Sequence, residues 1–123
     1  MNREYGFLRV AAITPKLKVA NVDYNVNEII KEIKNLASQE VAIAVFPELS
    51  ITGYTCADLF LQDALLNKTL KGIETLLEKT KENNITFIVG APLIFNNDLL
   101  NCALVISKGK ILGIIPKSYI PNY

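Results

Sequence analysis

Apolar residues recur at Val26, Ile29, Ile30, Ile33, Leu36 and Ala37, the i, i+3, i+4, i+7 spacing that lines one face of an α-helix. Lys31, Glu32, Lys34 and Asn35 fill the opposite face. Asn25 stands where an N-cap belongs, with Glu28 three residues later as in a capping box. Ahead of this helix, residues 7–13 form an apolar run broken by Arg9 and closed by Pro15, which reads as a buried strand. Behind it, residues 41–46 are apolar without a break until Pro47, the pattern of a strand covered on both faces. Strand, amphipathic helix and strand in succession predict a layered α/β unit.

The spacing predicts a second helix over residues 68–82, with Leu70, Ile73, Leu76 and Leu77 facing inward and Asn83-Asn84 ending it. Residues 86–91, 99–107 and 111–116 are strand-like. Between them lie Asn96-Asn97-Asp98 and Lys108-Gly109, residue types that tolerate the positive φ of tight turns, so a three-stranded meander is expected. No repeat, low-complexity tract or linker divides the chain, so one continuous unit is expected.

Composition narrows the function classes. Half of the 123 residues are hydrophobic and a fifth are charged, the balance of a globular chain of one-domain length. The formal charge is +1, and Lys16, Lys18, Lys108, Lys110 and Lys117 are scattered, unlike the clustered basic face of a nucleic-acid binder. The first nine residues lack the apolar core of a signal peptide, and no run nears the roughly 20 apolar residues of a membrane span. A soluble cytoplasmic chain, with Cys56 and Cys102 as free thiols, is the resulting expectation. Spacing alone does not place those two cysteines within bonding range. The sequons at Asn67 and Asn84 then read as accidental.

The chain has no histidine, which excludes Ser-His-Asp and Cys-His catalysis within it. Two distant cysteines supply too few ligands for a zinc site, so no metal is expected. A phosphate loop of the GxxxxGK[ST] type is also absent. Any chemistry must come from carboxylates, lysines, tyrosines or cysteines.

Two segments qualify. Glu48 follows residues 41–46 and Pro47, and Lys117 follows residues 111–116, so each stands just beyond a strand, where α/β sheets carry their ligand sites. By position alone each also fits a solvated surface charge. The longer run Phe46-Pro47-Glu48-Leu49-Ser50-Ile51-Thr52-Gly53-Tyr54 resembles the first catalytic segment of the nitrilase, or carbon-nitrogen hydrolase, superfamily. Its extension, Thr55-Cys56-Ala57-Asp58-Leu59-Phe60-Leu61-Gln62-Asp63, is similar more narrowly to the glutaminase domains of glutamine-dependent NAD synthetases. Pro116-Lys117-Ser118-Tyr119-Ile120-Pro121-Asn122-Tyr123 resembles the segment carrying the family's second catalytic residue, and Asn101-Cys102-Ala103 also matches. The resemblance runs from Phe7 to Tyr123.

The resemblance implies the N-terminal portion of an αββα sandwich, with residues 1–123 an incomplete carbon-nitrogen hydrolase domain. It implies Glu48 as general base, Lys117 as the cation stabilising the oxyanion, and Tyr123 at the rim of a glutamine pocket. Tyr54 stays open between a cleft residue and a core tyrosine. These types suit amide hydrolysis, which needs a nucleophile, a proton acceptor and a group for the tetrahedral oxyanion. The family's cysteine nucleophile stands downstream of the lysine segment. Neither Cys56, in a loop, nor Cys102, in an apolar strand, occupies its place, so this stretch alone is expected to be inactive and to leave apolar sheet surface uncovered.

The resemblance further implies a parent protein that hydrolyses glutamine through a Cys thioester. A C-terminal synthetase domain with ATP and Mg would use the ammonia to amidate nicotinate adenine dinucleotide, and a homo-oligomer is expected of it. No cofactor is expected within residues 1–123. The alternatives are another nitrilase-family amidase acting on a small linear amide, or a non-catalytic α/β module for self-association.

Overall fold

The computed structural model describes residues 6–53 and 63–117. In chain order the elements are β1 (Val10–Ala12), α1 (Val22–Ser38), β2 (Ile43–Val45), α2 (Asp63–Thr80), β3 (Thr86–Phe95), β4 (Asp98–Ser107) and β5 (Lys110–Pro116). They form one five-stranded sheet in the order β1-β2-β3-β4-β5. The first three strands are parallel, Val10 against Ile43 and Ile43 against Thr86. β3, β4 and β5 then pair antiparallel, the expected meander.

Both meander turns are two-residue loops with left-handed backbone, φ 51° and 69° at Asn96-Asn97 and 50° and 78° at Lys108-Gly109. Such turns match the twist of the strands they join. β3 runs on to Phe95, four residues past the expected stop at Ala91, because Pro92 does not break it. The Lys117 amide donates to the Asn101 carbonyl, so the hydrogen-bonding edge of Asn101 points to β5. Pro92, opposite Asn101, owes no hydrogen bond there. Its missing N–H faces the side where β2 has already ended.

Helix α1 starts four residues earlier than the apolar spacing predicts. Asn21, not Asn25, is the N-cap, its Oδ1 accepting from the Tyr24 amide at 3.1 Å. Asn25 is fully buried on the inward stripe with Val22, Val26 and Ile29, the same i, i+3, i+4, i+7 series begun one turn sooner. Glu28 forms no capping box and pairs instead with Lys31 at 3.4 Å. The helix ends with the Val41 amide reaching Leu36 O and the Glu40 amide reaching Ala37 O, Glu40 being left-handed at φ 61°, a Schellman closure.

Helix α2 begins at Asp63, and Ile73, Leu76 and Leu77 face the core as expected. Its buried stripe is Leu65, Thr69, Gly72, Ile73, Leu76 and Thr80, while Leu70 is 53% exposed. Gly72 stands in the stripe where α1 crosses closely: a Cβ there would lie 2.6 Å from Val22 Cγ1. Thr69 and Thr80 satisfy their hydroxyls by donating to the carbonyls of Leu65 and Leu76, so burying them leaves no orphan donor.

The two helices cover one sheet face, burying Ala44, Phe87, Val89, Ala91, Cys102, Leu104 and Ile106 against Ile29, Ile33 and Leu76. Each fully buried Ile or Leu contributes about 1.5–3 kcal/mol. The opposite face is open: Val10 is 63% exposed, Val45 43% and Ile115 59%. Two expectations therefore fail. β1 is a half-covered edge strand of three residues, with Phe7 and Leu8 outside it and exposed, and β2 is covered on one face only. The unbroken apolar run of residues 41–46 is nonetheless that of a strand buried on both faces. A helix layer on one face of a sheet and an apolar, open second face are the αβ half of an αββα sandwich. Among the described residues, no helix is long and apolar enough to cross a membrane.

Candidate active site

β2 gives out at Val45, and the chain turns sharply through Pro47 and Glu48. Leu49 is left-handed at φ 54°, an unusual state for a branched residue. Three sets of contacts hold this elbow. Ser50 Oγ accepts from the Gly90 amide at 3.1 Å and the Ile51 amide donates to Gly90 O at 3.0 Å. The amides of Thr52 and Gly53 close back on Leu49 O. From behind, Asn25 Nδ2 donates to Ile51 O at 3.1 Å and to Lys18 O at 2.8 Å, while its Oδ1 accepts from the Lys18 amide at 2.7 Å. Asn25 thereby ties α1, the loop before it and the elbow together.

The elbow rests on Gly90 so closely that no side chain fits beneath it. A Cβ there would stand 2.3 Å from Leu49 N and 3.2 Å from Glu48 Cα. Over this bare point Glu48 extends to β4 and β5. Its Oε1 accepts from Asn101 Nδ2 at 2.6 Å and from Lys117 Nζ at 3.2 Å. Glu48 Oε2 has no partner among the described residues. The cleft around these groups encloses about 360 Å³, with Val45, Ile88, Ala103 and Ile115 among its apolar walls.

Glu48 and Lys117 are thus brought together across 69 residues of sequence. Their side chains are 41% and 39% exposed, and a pair screened to that degree contributes at most about 1 kcal/mol to stability. A carboxylate with one oxygen fixed and one open, beside an ammonium, can take up a proton and stabilise a nearby oxyanion.

Cys102 lies on the helix-covered face, 2% exposed, and burial pushes its thiol above the ordinary cysteine range. It therefore stays protonated within the core packed under the helices, as its apolar strand suggested. Tyr54, Cys56 and Tyr123 lie outside the described residues. Asn101, Gly90, Ser50 and Asn25 were given no role in the site by sequence reasoning. Asn101 and Gly90 did leave a signal, a polar residue in an apolar strand and a glycine at mid-strand.

The family model for carbon-nitrogen hydrolases matches residues 9–122. A glutamine-dependent NAD(+) synthetase from Mycobacterium tuberculosis (strain H37Rv) is 35% identical over 120 residues, 98% of this chain and 18% of that protein. The crystal structure of a glutamine-dependent NAD(+) synthetase from Cytophaga hutchinsonii superposes with a TM-score of 0.86 at 26% identity, over 94% of this chain and 20% of that one. An amidase of the nitrilase superfamily from Nesterenkonia AN1 has the same fold, TM-score 0.80 at 15% identity, over 94% of this chain and 45% of its own. The chain spans about a fifth of the length of the synthetases it matches.

Proposed function

Because the chain belongs to the carbon-nitrogen hydrolase family, we propose that residues 1–123 are the N-terminal part of a glutaminase domain in a glutamine-dependent NAD synthetase. The observation that carries the reading is the meeting of Glu48 and Lys117 at 3.2 Å over an apolar cleft. Similarity to NAD synthetases along nearly the whole chain supports glutamine as the amide.

In this reading Glu48 is the general base and Lys117 the oxyanion stabiliser. Glu48 takes the proton of a cysteine thiol supplied from outside the described residues, and the thiolate attacks the carboxamide carbon of glutamine. The tetrahedral oxyanion forms beside Lys117. Its collapse breaks the C–N bond, and the proton held by Glu48 leaves with ammonia. Water, deprotonated by the same carboxylate, then hydrolyses the thioester and frees glutamate. Tyr123 would stand at the rim of the glutamine pocket. ATP and Mg²⁺ would bind in the synthetase domain, where the ammonia amidates nicotinate adenine dinucleotide. The whole enzyme would be a cytoplasmic homo-oligomer.

The test is made in the full-length protein. Glu48→Gln and Lys117→Ala should each abolish NAD synthesis from glutamine and leave synthesis from free ammonia intact. Survival of the glutamine-dependent reaction in Glu48→Gln would overturn the reading.

A further inference from the structure

We propose that Asn101 is a positioning residue for Glu48, holding one carboxylate oxygen so that the other serves as the base; this rests on the proposed role of Glu48. Lys117 is the partner that charge would suggest, yet its Nζ stands 3.2 Å from Glu48 Oε1 whereas Asn101 Nδ2 stands 2.6 Å away. Both donate to the same oxygen. Oε2 is left with no partner among the described residues, and Glu48 lines the cleft.

The two donors differ in what they can go on doing. Lys117 has to turn toward an oxyanion to stabilise it, and it stands just past the end of β5 on a long, many-rotamer side chain. Asn101 is inside β4, paired with Pro92 of β3, and its carbonyl accepts the Lys117 amide at 2.9 Å. Its two-torsion side chain therefore starts from a backbone fixed on both sides. A carboxamide is also neutral and does not titrate near neutral pH. It can hold Oε1 whether Glu48 is ionised or protonated, and it never competes for the transferred proton. With Oε1 occupied, the proton is directed to Oε2. Asn101 keeps the base aimed while Lys117 is away.

The experiment uses the full-length protein, with glutamine hydrolysis followed as ammonia release. Asn101→Asp keeps the side-chain shape and removes the donor, and Asn101→Ala removes both. Each should lower kcat for glutamine roughly 10- to 100-fold, the scale of a misplaced catalytic group, with KM changed by less than about twofold. NAD synthesis from free ammonia should be unaffected. In a Glu48→Asp background, whose carboxylate is withdrawn by one methylene from Asn101, adding Asn101→Ala should change the residual rate by less than about twofold. A kcat within about twofold of wild type in both Asn101 variants would overturn the proposal. So would an equal loss in both backgrounds, or a parallel loss of ammonia-dependent synthesis, since either marks a merely structural role. Undiminished glutamine hydrolysis in Glu48→Gln would instead remove the base itself, and the positioning role with it.

Discussion

Gly90→Ala tests whether the elbow carrying Glu48 depends on a bare backbone beneath it. The new Cβ would lie 2.3 Å from Leu49 N, 3.1 Å from Glu48 C and 3.2 Å from Glu48 Cα. Ordinary contact begins at 3.4 Å, so Leu49 N must retreat by about 1.1 Å, the difference between 3.4 and 2.3 Å. All three neighbours are backbone atoms, and no side-chain rotation relieves the clash. Retreat also opposes Asn25, which holds Ile51 O from behind. Overpacking of this kind costs about 1–3 kcal/mol. Loosening the two hydrogen bonds between Gly90 and the Ser50-Ile51 pair adds about 1 kcal/mol. The reduced freedom of the unfolded alanine chain returns about 0.4–1 kcal/mol.

The net loss should be about 1–3.5 kcal/mol, a fall in Tm of about 4–14 °C at about 4 °C per kcal/mol for a chain of this size. Gly113→Ala is the control, because a Cβ there meets nothing within 4 Å and Tm should hold. Thermal unfolding and urea titration read the stability. In the full-length protein, an elbow moved by about 1 Å should lower glutamine hydrolysis by about 100-fold. A Gly90→Ala protein with wild-type stability and wild-type amide chemical shifts at residues 48–52 would refute the reasoning.

Two further perturbations probe the frame behind the site. Asn25→Asp replaces an amide that donates to Lys18 O and Ile51 O with a carboxylate oxygen facing both, and should cost about 3 kcal/mol or more at neutral pH. Burial and those carbonyls hold the new carboxyl's folded pKa above its unfolded value of about 3.9, so the penalty is full at neutral pH and shrinks as pH falls through that raised value. Urea titrations of both proteins at pH 7 and pH 4.5 check this, and a gap that widens on acidification would contradict the hydrogen-bond assignment. Gly72→Ala gains about 1 kcal/mol of helix propensity but sets a Cβ 2.6 Å from Val22 Cγ1 and 3.1 Å from Val26 Cγ2, both on stiff, fully buried side chains. It should be net destabilising by about 1 kcal/mol. A double-mutant cycle with Val22→Ala should recover at least that much as coupling, whereas additive effects would mean the helices do not cross there.

What was legible in the sequence was the periodic part. The α1 stripe from Val26 to Leu36, both two-residue turns and the antiparallel meander follow from spacing and turn chemistry, and all are observed. The errors within the helices fall where a polar or small residue does an apolar residue's work. Asn25 looks like a cap because it is polar, yet it sits in the stripe with every hydrogen-bonding atom of its amide engaged. Thr69 and Gly72 do not belong to the apolar series, yet both are buried, Gly72 where the helices approach closely, while Leu70 is exposed. Apolar periodicity registers transfer free energy alone. It does not register a buried amide satisfied by backbone 26 residues away, or a contact too close for a side chain.

The site was legible in a different way. Neither Glu48 nor Lys117 is distinguishable locally from a surface charge at a strand end; only their shared resemblance to one family marks them as a pair. Topology supplies the reason they meet. β2 is parallel to β3, and β5, two antiparallel steps further on, runs the same way. The carboxyl ends of β2 and β5 therefore point to the same edge of the sheet, with β3 and β4 between them. For Glu48 to cross β3 and reach β4, the intervening strand must present no side chain, which is the place of Gly90. For Lys117 to lie alongside, its neighbour on β4 must project from the same face, which is the place of Asn101. A reading that names only the charged residues leaves out the glycine that lets them approach and the amide that receives them.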